Sequence, residues 1–340
     1  MSEREAPVRV GLLGAGRIGR LHAELLSGRV DGAALAAVCD ADPAAAAEVA
    51  GRLRVPWVES ATELYDLPDV DAIAICTSTD THADAIVAAA RTGKPIFCEK
   101  PVALDLGEID RALAAVDETG ALFQVGFNRR FDPAHASVRE AVSSGAIGDV
   151  HLVRISSRDP APPPLEYART SGGLFLDMTI HDFDMARFVT GSDVVEVYAR
   201  GGVRITPELT ELGDIDTAVV TLLHESGALT VIDNSRRAVY GFDQRVEAFG
   251  SRGMAASENP PAHTGVLRTA DGTRAASLPY FFVERYLPSY VAQWRAFVDA
   301  ARSGGSSPVT GADGRAPLEI GLAAGRSLCE RRPVRVAEIA

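Results

Sequence analysis

Short apolar runs alternate with amphipathic stretches along the first 127 residues. Val8–Leu13 is apolar and ends at Gly14, and beyond it Leu21, Leu25 and Leu26 recur at helical spacing. Ala33–Cys39 forms a second run that ends in Asp40, after which Asp42-Pro43 supplies an N-cap and a first-turn proline for a helix reaching about Leu53. The pattern predicts a strand over 55–58, a short helix over 63–67 and a strand over 71–76. This last strand is apolar at nearly every position, as expected where a parallel sheet is covered on both faces. A helix over 83–91, a strand over 94–98, a helix over 105–118 and a strand over 122–126 follow. These alternating units close most simply as a right-handed, doubly wound parallel sheet of the Rossmann type.

From about residue 148 the period changes from helical to two. Runs over 150–156, 194–199, 217–224, 228–234, 244–250 and 265–278 alternate and are separated by hairpin-like breaks. They predict a large, open, mainly antiparallel sheet with helices on one face, and its other face is expected to meet another subunit. The Pro-rich stretch 159–164 reads as a stiff loop, and helices are expected over 288–301 and 317–331. The expected organisation is a nucleotide-binding Rossmann domain over 1–127 and an α+β domain for substrate binding and oligomerisation over 128–340, with the C-terminal helix packing back on the first.

Within the second part, 172–188 reads as a core helix carrying Asp177, His181 and Asp184 at i, i+4 and i+7, on one face. A packed helix does not require three ionisable groups in a row. A carboxylate one turn from an imidazole can fix its tautomer and raise its basicity, which suits a general base near neutral pH. A solvated polar face is the alternative.

Composition narrows the partners. The 340 residues carry a formal net charge of −12, which disfavours nucleic acid and anionic membranes, so a small neutral substrate is expected. No apolar run approaches the ~18 residues of a membrane span, and the polar start Met1–Glu5 leaves no room for a leader's apolar segment. A cytoplasmic protein is the default. Cys39, Cys76, Cys98 and Cys329 lack CxxC spacing and read as buried free thiols, and no metal site is expected.

The chemistry enters at the strand ends. Gly14-Ala15-Gly16-Arg17-Ile18-Gly19 is a GxGxxG between a strand and a helix: one glycine for the turn, one for approach to a pyrophosphate, one for helix–strand packing. Asp40 lies 21 residues after Gly19, where an acid receives the adenosine ribose hydroxyls. Ala41 follows it with no Arg, Lys or Ser for a 2′-phosphate, so NAD rather than NADP is expected. The cluster of Thr77, Ser78 and His82 and the segment Glu99-Lys100-Pro101 end two further strands, at the edge where such sheets bind ligands.

With these residues in view, the chain resembles the glucose-fructose oxidoreductase, inositol dehydrogenase and rhizopine catabolism (Gfo/Idh/MocA) family, and within it the inositol 2-dehydrogenase branch. GAGRIG, Cys39-Asp40, TSTDTH from Thr77, EKP from Glu99, GFNRRFD from Gly126, DMTIHDFDMARF from Asp177 and YGFDQRVEAFG from Tyr240 occur in the family's order. The resemblance implies an NAD-dependent oxidation of myo-inositol to its 2-keto product by a homotetramer. It places the catalytic set on Lys100, Asp177 and His181 and the polyol contacts on Asn128, Arg129, Asp184 and Tyr240. Phe242 and Met178 stand where the branch often has Tyr and where some members have Thr, so one or two hydroxyl contacts are expected to be missing. The same chemistry on scyllo-inositol, glucose or another sugar is the first alternative. A non-catalytic sugar sensor is the second, and retention of all three catalytic residues argues against it.

Overall fold

A computed structural model describes residues 6–339, so the Met1–Glu5 segment lies outside the described residues. The chain forms two compact units, one running through Phe127 and taking in Tyr290–Ala316, the other made of Asn128–Ser289 with the chain beyond Pro317.

The first unit contains β1 (Val8–Leu13), α1 (Arg17–Leu26), β2 (Ala33–Cys39), α2 (Pro43–Leu53), β3 (Trp57–Val58), α3 (Ala61–Asp66), β4 (Ala72–Ile75), α4 (His82–Ala90), β5 (Ile96–Cys98), α5 (Leu106–Thr119) and β6 (Phe123–Val125). Its six strands are all parallel, in the order β3-β2-β1-β4-β5-β6. Chain direction across the sheet reverses between β1 and β4, the switch point at which doubly wound folds open a crevice for ligands. The sequence explains the elements locally. Every residue of β4 is buried, as a central strand requires. Asp42 and Asp105 accept hydrogen bonds from Ala44 N–H and Glu108 N–H as N-caps, and Gly120 ends α5 at φ 66°. Residues 290–303 are helical and lay Trp294 against Phe97, with ring centroids 4.4 Å apart.

The second unit contains α6 (Pro133–Ser143), β7 (Val150–Arg158), α7 (Leu165–Thr170), α8 (Gly173–Asp177), α9 (Ile180–Thr190), β8 (Val194–Gly202), β9 (Thr217–His224), β10 (Leu229–Ser235), β11 (Asp243–Gly250), β12 (Gly253–Ser257), β13 (Val266–Thr269) and β14 (Gly272–Ala275). The start of α10 (Phe282–Ser303), the end of α11 (Gly311–Glu330) and β15 (Val334–Arg335) complete it. Seven strands form one sheet in the order β12-β11-β7-β10-β9-β8-β15. The β7–β10 pair is parallel and the rest antiparallel, so the sheet is mixed. One face buries Val153, Ile155, Val197, Val220, Ile232 and Val246 against Phe183, Met185, Ala186 and Val189 of α9. The opposite face exposes Val219, Leu229, Phe249 and Met254.

Four expectations are corrected. The run over 265–278 is not a strand of this sheet but a separate two-stranded hairpin, β13–β14, turned at Ala270-Asp271, with no apolar face buried. The last two helices begin at Phe282 and Gly311, with Pro288 and Pro317 inside them; each proline removes one ladder N–H without ending the helix. Cys329 is exposed, on the solvent side of α11, whereas Cys39, Cys76 and Cys98 are buried. The helix expected through 177–188 is two helices. α8 stops at Asp177 and α9 starts at Ile180, because the Thr179 hydroxyl is drawn to Asn234 Oδ1 on β10 (2.8 Å) while Met178 N–H and Thr179 N–H both donate to Leu174 O.

Candidate active site

In the first unit the glycine loop follows β1. Gly14 has φ 101°, and a Cβ there would lie 2.5 Å from the Cys76 backbone, so no other residue fits. A Cβ on Gly19 would lie 1.9 Å from Gly14 O. Gly16 differs: an added Cβ would meet no protein atom within 4 Å. The polypeptide therefore explains two of the glycines and leaves the third to something the chain does not supply. Gly16 is also the N-cap of α1 and brings no capping side chain, so the N-terminal end of that helix suits a pyrophosphate. The loop thus fits a dinucleotide. Asp40 closes its far side, accepting from Ala15 N–H at 2.5 Å through one oxygen and from Asp42 N–H at 2.8 Å through the other. Ala15 is buried, Ile18 half-buried, and Gly16 and Arg17 exposed.

Beyond β4, Thr81 Oγ1 donates to Thr77 Oγ1 at 2.7 Å, and Ser78 is exposed. His82 is buried, with Nδ1 2.8 Å from Pro101 O and Nε2 3.1 Å from Thr77 O. Burial pushes this imidazole's pKa down, and both ring nitrogens face main-chain carbonyls. His82 therefore sits between the ends of β4 and β5, where its neutral ring can donate to one of the two carbonyls. Glu99 is buried with Oε1 2.7 Å from His22 Nε2, while its Oε2 accepts from Lys100 N–H at 3.2 Å. Lys100 is half-buried, and a cis peptide joins it to Pro101.

In the second unit Asp177, at the end of α8, and His181, Asp182 and Asp184 on α9 fall into two classes. Asp182 and Asp184 are buried. Asp182 receives Arg129 Nη1 at 2.7 Å and Asn234 Nδ2 at 2.8 Å; burial pushes its carboxyl up, and Arg129 opposes that shift. Asp184 is held by Arg130 through both its oxygens, at 2.9 and 2.6 Å. Asp177 and His181, in contrast, are only half-buried. The Asp177 carboxylate accepts from Tyr167 OH at 2.8 Å and from both terminal nitrogens of Arg236 at 3.2 Å. Arg236 itself is almost wholly buried, so this pair fixes the carboxylate from the core side.

The remaining sequence candidates are also placed. Asn128 and Arg129 are buried in a 3₁₀ turn, Asn128–Phe131. Tyr240 is half exposed, its hydroxyl donating to Asp243 at 2.6 Å and accepting from Arg158 at 3.0 Å. Phe242 is buried, edge-on to the Tyr286 ring, and Met178 lies in the core. Among the described residues no cluster of His, Cys, Asp or Glu is arranged to hold a metal ion, and no helix is long and apolar enough to cross a membrane.

Two family models match, an oxidoreductase family NAD-binding Rossmann fold over 8–127 and a GFO/IDH/MocA C-terminal domain over 135–256. A myo-inositol 2-dehydrogenase of Thermotoga maritima is 46% identical, covering 98% of this chain and 99% of its own length. An inositol 2-dehydrogenase of Rhizobium meliloti is 47% identical, covering 97% and 99%. The chain belongs to the GFO/IDH/MocA oxidoreductase family. A solved family structure, a scyllo-inositol dehydrogenase from Lactobacillus casei with bound NAD(H) and scyllo-inositol, superposes with a TM-score of 0.91 at 29% identity, covering 97% of this chain and 99% of that one.

For this GFO/IDH/MocA chain, pattern reading missed several site residues. Tyr167 and Arg236, which hold Asp177, lie 10 residues before it and 59 after it, beyond any local spacing rule. Asp159 stands at the start of the proline-rich stretch 159–164, where the sequence offers no sign of its neighbours. Its carboxyl is pushed up to about 6 by burial, with Arg236 pulling it down and Asp177 pushing it up, which places it beside the Asp177–Arg236 pair.

Proposed function

We propose that the chain oxidises a ring hydroxyl of myo-inositol to the 2-keto product with NAD as hydride acceptor. The observation that carries this reading is the contrast along 177–184. Two of its acids are buried in ion pairs, while Asp177 and His181 stay accessible and one of them is oriented from behind by Tyr167 and Arg236. Near full-length identity to inositol 2-dehydrogenases supports the substrate class.

When bound, NAD takes the hydride from the carbinol carbon. His181 receives the hydroxyl proton as general base. Asp177 orients the imidazole and balances its positive charge, and it keeps its own position through Tyr167 and Arg236. Lys100, as a cation, donates to the substrate oxygen and stabilises alkoxide character as the C–H bond breaks. Asn128, Arg129, Asp184 and Tyr240 hold the other ring hydroxyls. Arg129 and Asp184 do so from within their ion pairs, whose fixed partners keep both groups in place. Asp40, with Thr77 and Ser78, holds the nucleotide.

A panel assay tests the reading. NADH formation at 340 nm is expected to be highest on myo-inositol, with NADP at least about tenfold poorer in kcat/KM because the Asp40 carboxylate repels a 2′-phosphate. A clear preference for scyllo-inositol or glucose would move the substrate without moving the chemistry; no turnover of any polyol would defeat the reading. The Lactobacillus casei neighbour makes scyllo-inositol the first rival.

The same proposal makes residues 1–127 the nucleotide domain and 128–340 the domain for substrate and self-assembly. A cytoplasmic homotetramer is formed through the sheet face that exposes Val219, Leu229, Phe249 and Met254. Light scattering at micromolar concentration is expected to give four times the 35.9 kDa chain mass, and a monomer mass would contradict this.

A further inference from the structure

His22 is fully buried in the first unit, inside a box of Phe97, Tyr290 and Trp294 whose ring centroids lie 5.4 to 5.6 Å from its own. Neither its family motif nor the proposed chemistry uses it. Its two nitrogens are not equivalent. Trp294 Nε1 lies 2.8 Å from Nδ1, and an indole N–H can only donate, so Nδ1 accepts and carries no proton. The ring proton is therefore on Nε2, which lies 2.7 Å from Glu99 Oε1. The other oxygen of Glu99 accepts from the Lys100 main-chain N–H at 3.2 Å. A buried carboxylate without donors would be costly, and here each oxygen has one. Gly126 seals the site, since a Cβ there would come within 3.0 Å of the Glu99 carboxyl carbon.

We propose that Trp294 and His22 are positioning residues for Lys100, acting through the Glu99 carboxylate, on which the hydrogen bonds from the imidazole and from the Lys100 main-chain N–H converge. This rests on the role given to Lys100 above. The indole fixes the imidazole tautomer, the imidazole fixes Glu99, and Glu99 fixes the main chain that carries Lys100. The buried His82 ring packs at the other end of the same tripeptide, with Nδ1 2.8 Å from Pro101 O. Lys100 is thereby held at the end of a strand by groups that never meet the substrate, and a displacement of about 1 Å at such a residue can cost about 10² in rate.

The test compares His22→Leu, His22→Gln and Trp294→Phe with Lys100→Met, measuring kcat, KM for myo-inositol, NADH affinity by fluorescence and Tm. Leucine fills the aromatic box and removes both hydrogen bonds. Glutamine restores a donor where Nε2 stood. Phenylalanine removes the indole donor alone. His22→Leu is expected to lose about 10- to 100-fold in kcat with NADH affinity and KM within about threefold of wild type. His22→Gln is expected to recover to within about fivefold of wild type, and Trp294→Phe to fall about three- to tenfold. A folded His22→Leu within about threefold of wild-type kcat, or His22→Gln as impaired as His22→Leu, overturns the proposal. Should His22→Leu fail to fold, Trp294→Phe decides, and wild-type turnover there overturns it. The two readings separate cleanly. An inactive Lys100→Met beside an unaffected His22→Leu defeats the positioning chain alone, whereas an active Lys100→Met defeats the role of Lys100 and the chain with it.

Discussion

His181→Ala is expected to lower kcat by about 10²–10⁴ while NADH affinity and Tm stay close to wild type. The size is that of a general base removed from a step in which an O–H and a C–H bond are both broken. The selectivity follows from the surroundings. His181 is half-buried, so truncation opens no sealed cavity, and Asp177 keeps Tyr167 and Arg236 as partners when the imidazole is gone. The pH profile of kcat/KM needs a control, because Asp159 titrates near 6 beside Asp177. With its pKa raised, Asp159 is neutral below that value and becomes a second negative charge above it, which favours the protonated imidazole. Asp159→Asn is therefore expected to sharpen the rising limb and leave the plateau in place. A His181→Ala enzyme retaining more than about a third of wild-type turnover would reduce the row of charges to a solvated face.

Lys100→Met is the second large effect, with a loss of about 10²–10³ in kcat. Methionine keeps the unbranched stem of the side chain to Cε and removes the cation, so the alkoxide loses its donor at the moment charge develops. The segment should stay in place, since Glu99 holds it through the Lys100 N–H and the His82 ring packs at Pro101 O, neither of which involves the ammonium. Some loss of NAD affinity is expected as well, since Lys100 stands at the β5 end that borders the nucleotide crevice. Arginine should not rescue, because its planar fork cannot replace a compact point charge. Turnover within about threefold of wild type would remove Lys100 from the mechanism.

The first unit was legible because its constraints are local. Gly19 is dictated by a backbone approach within the loop, Gly14 by its positive φ and the neighbouring Cys76 main chain, and Asp40 by the length of one β-α-β unit; all three fall at the spacing of one motif, so spacing alone finds them. The second unit was legible in type but not in detail. Period-two runs gave its strands, yet the one parallel pair, β7 with β10, leaves no mark in the alternation. Helical spacing placed Asp177, His181 and Asp184 on one face; it could not foresee that Thr179 would be captured by Asn234, ending α8, nor that Asp184 and Asp182 would be taken by adjacent arginines. His22 and Trp294 are 272 residues apart, and nothing in either neighbourhood points to the other. Chemistry held by contacts of long sequence separation becomes visible only once the chain is folded.

The most direct test of the account follows the hydride itself. With myo-inositol deuterated at carbon 2 and unlabelled NAD, the NADH recovered is predicted to carry one deuterium from the substrate, and turnover to slow with the heavy isotope if C–H cleavage limits the rate. NADH without deuterium, formed at the wild-type rate, would place the oxidation at another carbon, and no NADH at all would contradict the assignment of the chain as an inositol dehydrogenase.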